Sequence, residues 1–77
     1  MPKLPVVKVA EVIKVLCKAG FVRWRQKGSH LSLYREQDNR SLTVPMHFGQ
    51  DMPNGTLRAI IDQACMTVEE FLELRKK

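Results

Sequence analysis

Three short runs in the middle of the chain limit its folds more than any other feature: "FVRWRQ" (21–26), "HLSLYR" (30–35) and "RSLTVPM" (40–46). Each alternates apolar and polar residues, the period of a half-buried strand. The links between them, "KGS" and "EQDNR", are of hairpin length, so neighbouring strands pair antiparallel. The runs therefore predict a three-stranded meander. Strict alternation turns Val22, Trp24, Leu31, Leu33, Leu42 and Val44 to one face. It turns Arg23, Arg25, His30, Ser32, Tyr34, Ser41 and Thr43 to the other, with Lys27 in the adjoining turn. The first face needs a cover; the second is left to solvent.

The cover is encoded on either side. Val9, Val12, Ile13, Leu16 and Cys17 recur at helical spacing, and Gly20 ends the pattern with Lys18 in the last turn. No Ser, Thr, Asp or Asn marks the start of this helix. "HFGQDMPNG" (47–55) reads as a loop, and Thr56 as the N-cap of a helix carrying Leu57, Ile60, Ile61 and Ala64. Thr67 and Glu70 form a capping-box pattern before Val68, Phe71, Leu72 and Leu74. The order α-β-β-β-α-α predicts an α+β fold, a two-layer sandwich with helices on one face of the sheet, in one domain spanning residues 1–77. At 77 residues the core is modest, and a hydrophobic content of 44% argues against disorder.

Composition narrows the function. The net charge of +5 favours a polyanionic partner, nucleic acid first, over an acidic protein or a membrane surface. A soluble domain that is merely basic is the plain alternative. Cys17 and Cys65 have no metal-ligand spacing and read as reduced, half-buried thiols. No apolar run reaches signal-peptide or membrane-span length, which predicts a cytoplasmic protein without a membrane partner. The carboxylates are scattered over a turn, a loop and the last helix, so neither a two-metal nuclease nor a zinc site is expected. No nucleotide-binding fingerprint is present, and no cofactor is expected.

The open face holds the chemistry. Cations bind phosphates, and a tyrosine stacks on bases, so Arg23, Arg25, Lys27, Ser32 and Tyr34, with Gly28 and Ser29 in the turn, suit RNA with accessible bases. Each has a plainer reading: the arginines as solvated edges, Gly28 and Ser29 as turn residues, His47 as a loop cap, Trp24 as core. Parity leaves His30 open between an incidental surface histidine and a catalyst. If His30 reacts, metal-free RNA cleavage fits, because the 2′-hydroxyl is the substrate's own nucleophile. The protein then moves protons and holds the phosphate in line.

The segments "EVIKVLCKAGF", "RQKGSHLSLYR", "LTVPMH", "NGTLRAIIDQA" and "TVEEFLEL" together resemble the HicA type of toxin, the small mRNA interferases of bacterial HicA–HicB toxin–antitoxin pairs. The Gly-Ser-His turn, the Val-Pro-x-His strand end and the Gly-Thr-Leu-Arg helix start, in this order and spacing, carry the resemblance. It implies a double-stranded-RNA-binding-like fold and His30 as the catalytic residue. It also implies mRNA as substrate and a HicB-like antitoxin as partner. Phe48, Gln50 and Cys65 depart from the family pattern; Cys65 stands where a helix-ending glycine is usual. A non-catalytic RNA-binding module, or a protein-interaction domain docking through "VEEFLELRKK", are the alternatives.

Overall fold

In a computed structural model the described residues are 4–46 and 51–77. The elements are α1 (Val9–Lys18), β1 (Val22–Lys27), β2 (His30–Arg35), a single 3-10 turn (Glu36–Asp38), β3 (Arg40–Pro45), α2 (Asn54–Gln63) and α3 (Val68–Lys76). The sheet is antiparallel in the order β1-β2-β3. The α+β arrangement expected from the alternating and helical patterns is therefore present. His47, Phe48 and Gln50 lie outside the described residues.

One core joins the layers. Leu31, Leu33, Leu42 and Val44 from the sheet meet Val12, Ile13, Val15 and Leu16 of α1, Leu57, Ile60 and Ile61 of α2, and Phe71 of α3. The short extended lead is tied in by an Asp51–Lys8 bridge and by Met52 N–H donating to the Val7 carbonyl at 2.8 Å. α3 opens with the expected capping box: Thr67 Oγ1 accepts from Glu70 N–H, and Glu70 Oε1 accepts from Thr67 N–H. α1 starts without a side-chain cap.

α1 and α2 end alike. Phe21 N–H donates to the Leu16 carbonyl and Gly20 N–H to that of Cys17. Met66 and Cys65 repeat this pair of bonds on Ile61 and Asp62. These are Schellman closures, whose residue beyond the cap takes positive φ. Gly20 fills that place at φ 102°, and Cys65, a residue with a β-carbon, fills the other at φ 57°.

Four expectations are corrected. α2 begins at Asn54 with Pro53 as N-cap, not at Thr56, because Pro53 has the fixed φ that starts a helix and its carbonyl accepts from Leu57 N–H. Both cysteines are exposed rather than half-buried; Val15, not Cys17, completes the buried stripe of α1. Trp24 is not core: it is 57% exposed, and Val22 is 58% exposed. Arg23 is opposite Leu33, on the helix-side face, rather than beside Arg25. The last two share a cause. Val22 pairs with Tyr34 and so starts β1 in the opposite phase to strict alternation, and a bulge at Trp24 restores the phase at Arg25, opposite Ser32. All six residues of β1 are exposed, because this edge strand lies outside the buried core.

Candidate nucleic-acid interface

The β1–β2 hairpin closes through only two residues, Gly28 and Ser29, between the paired Lys27 and His30. A turn this short needs positive φ at its first central position, where glycine meets least resistance. Gly28 sits there at φ 59°. Met46 N–H donates to the Ser29 carbonyl, fastening the turn to the end of β3. His30 is consequently the first residue of β2, held between Lys27 on one side and Pro45 on the other. Its side chain is exposed.

Arg25, Lys27, Gly28, Ser29, His30 and Ser32 line one open depression, with Trp24 and Thr43 completing its wall. Six of the eight site residues read from the sequence are thereby brought together. Tyr34 stands apart, in an adjoining depression lined by Trp24, Asn39 and Ser41. Its hydroxyl donates to Asn39 Oδ1 at 2.6 Å, which fixes the ring on the face. Arg23 lines neither. Trp24, missed as a surface residue, lines both. Its one signal in the sequence was its place between two arginines in a strand that proved to be an edge; a bulge leaves no such mark.

Among the described residues, Arg25, Lys27 and His30 make no side-chain hydrogen bond or ion pair. The arginines at the other end of the sheet are both held by protein partners. Arg35 donates through Nε and Nη2 to both oxygens of Asp38, at 3.0 and 2.7 Å. It also reaches the Ala19 carbonyl at 3.0 Å and the Ala64 carbonyl at 3.2 Å. Arg40 binds Asp38 at 3.1 Å and the Gln63 carbonyl at 3.2 Å. The Arg35 hydrogen bond holds the Asp38 carboxyl well below the usual carboxylate range, and Arg40 adds to this. The Asp38 hydrogen bond in turn raises the Arg35 guanidinium above its ordinary value. Among the described residues no three of His, Cys, Asp and Glu gather as metal ligands would, and no helix is long and apolar enough to cross a membrane.

The fold and this face define a small basic α+β domain that offers cations, hydroxyls and one histidine on an open sheet. The particular family follows from comparison: the family model for the HicA toxin of bacterial toxin–antitoxin systems matches residues 9–66, and the chain belongs to that family. The matched span holds α1, the whole sheet and α2; α3 lies beyond it. A search of curated proteins found no match.

Proposed function

We propose that the chain is a metal-independent endoribonuclease that cleaves mRNA at His30 and is silenced by a HicB-like antitoxin covering the open sheet face. The observation that carries this reading is the convergence of His30, Arg25 and Lys27 on one depression without protein partners among the described residues. His30 takes the proton of the RNA 2′-hydroxyl, the 2′-oxygen bonds to phosphorus, and the bond from phosphorus to the 5′-oxygen breaks. The leaving oxygen takes a proton from the solvent that reaches this open site. The products are a 2′,3′-cyclic phosphate and a 5′-hydroxyl. Arg25 and Lys27 hold the phosphate and offset the charge that builds on it. Gly28 and Ser29 set the turn, and Ser32 and Tyr34 contact the RNA beside it. Arg23, on the other face, has the weakest claim of the residues named from sequence.

The test is cleavage of a bare RNA by purified protein in excess EDTA, with the product ends identified. His30→Ala should lower the rate by roughly 10²–10⁴. Its thermal melt should stay within about 0.5 kcal/mol of the parent, because an exposed strand-end side chain leaves no cavity. Activity lost in chelator and restored by Mg²⁺, or a well-folded His30→Ala protein that cleaves at the parent rate, refutes the reading. The second reading, an RNA-binding module without chemistry, draws on the same cations and predicts salt-sensitive binding with no product.

A further inference from the structure

The two depressions on the open face differ in chemistry. The one at His30 carries Arg25 and Lys27; its neighbour, across Trp24, is lined by Trp24, Tyr34, Asn39 and Ser41 and has no charged residue. A polynucleotide has the same division, an anionic phosphate next to a flat neutral base. Trp24 is the wall shared by both. It is the largest side chain in the protein, yet more than half of its surface meets solvent, because the bulge at this position turns it to the open face instead of the core.

We propose that Trp24, with Tyr34, Asn39 and Ser41, forms a nucleobase subsite beside the phosphate position at Arg25, Lys27 and His30, so that the preferred ligand is single-stranded RNA with an unstacked base. This rests on the RNA reading above and adds which part of the RNA is gripped and where. The indole supplies a stacking surface that accepts any base. Asn39 supplies the polar edge. Its Oδ1 is taken by the Tyr34 hydroxyl, while its amide N–H groups have no partner among the described residues and are available to acceptors on a base. Asn39 is held in place by a left-handed backbone at φ 52° that follows the 3-10 turn. A duplex keeps its bases stacked and presents backbone, so it has no use for this platform.

Trp24 is the only tryptophan, so its fluorescence reports the subsite directly and without cleavage. The probes are a 2′-O-methyl oligouridylate of about six nucleotides, which lacks the attacking hydroxyl, and an abasic oligomer with the same number of phosphates. The base-bearing oligomer should quench the emission. The abasic one should bind, as read by the anisotropy of an attached dye, and leave the emission unchanged. Trp24→Ala should weaken the base-bearing oligomer on the order of tenfold and leave the abasic one unaffected. Trp24→Phe should recover most of the loss, and circular dichroism melts confirm that both variants are folded. Equal quenching by both oligomers, or unchanged affinity of Trp24→Ala for the base-bearing one, overturns the subsite and leaves Trp24 as a surface for a protein partner. If neither oligomer binds, the RNA reading falls and the subsite with it. If His30→Ala binds and quenches normally while the parent protein does not cleave RNA, the catalytic reading alone falls.

Discussion

The two ends of the sheet use the same residue types for opposite purposes. At the end that holds Arg35, Asp38 and Arg40, every guanidinium is bound. Arg35 touches the cap carbonyls of both α1 and α2, stacks on Phe21 with its Cζ 4.5 Å from the ring centroid, and shares Asp38 with Arg40. Helix C-termini carry partial negative charge, so a cation placed on two of them at once is favourable. At the end that holds Arg25, Lys27 and His30, the side chains make no hydrogen bond or ion pair among the described residues. Charge in this protein is structural where helix ends converge and available where they do not. An arginine's role is therefore set by what lies opposite it, not by its neighbours in sequence.

The largest effect that would break this contrast comes from exchanging the two ends. Arg35→Ala should cost about 2–3 kcal/mol, because it strands the part-buried carbonyls of Ala19 and Ala64. A shift of roughly 10 °C or more in the thermal melt would register it. Arg25→Ala should leave the melt in place, weaken RNA binding and lower the slope of log affinity against log salt by somewhat under one unit. Equal melting losses in the two variants would erase the distinction.

A smaller effect concerns the latch that Arg35 makes across the ends of α1 and α2. Gly20 sits at φ 102°, and a β-carbon there would lie 3.2 Å from Arg35 Cδ. Gly20→Ala should therefore cost roughly 1–3 kcal/mol, measured by urea denaturation. Gly28→Ala meets backbone strain but no neighbouring atom, so it should cost less.

Next comes pH. Because the folded Asp38 carboxyl titrates below its ordinary 3.8, its contribution is present above that value and is lost as pH falls below it. Asp38→Asn should melt earlier at neutral pH and show a flatter acid limb than the parent. The smallest change concerns Cys65, strained at φ 57°. Cys65→Gly should raise stability by up to about 1 kcal/mol, since relief of the left-handed strain exceeds the added chain entropy.

What the sequence revealed depended on how local the cause was. The α3 capping box spans four residues and the β2 and β3 alternation six each, so both were legible. Gly20 signalled the end of α1 because positive φ selects glycine; the matching end of α2 was harder to read because Cys65 occupies that place. Trp24 misled because burial is the ordinary fate of tryptophan, and neither the bulge nor the exposed edge strand marks the alternation. The Arg35 latch was invisible: its carbonyl partners lie 16 and 29 residues away and are backbone atoms, which carry no residue preference. At the site, the pattern placed His30, Ser32 and Arg25 on one face, whereas Arg23 followed the phase of β1 and was lost with it.

The exposed edge at β1 has a consequence for anyone who wishes to disarm the molecule. An unpaired edge invites a second chain to extend the sheet, and charged side chains along it discourage that. Arg23, Arg25 and Lys27 are the charges on this edge, set beside the exposed Val22 and Trp24. Stripping them to remove activity would leave a short apolar ribbon open to self-association. Neutralised variants should therefore precipitate during purification, and on the proposed reading an inert but well-behaved form is better sought at His30, where the edge keeps its guard.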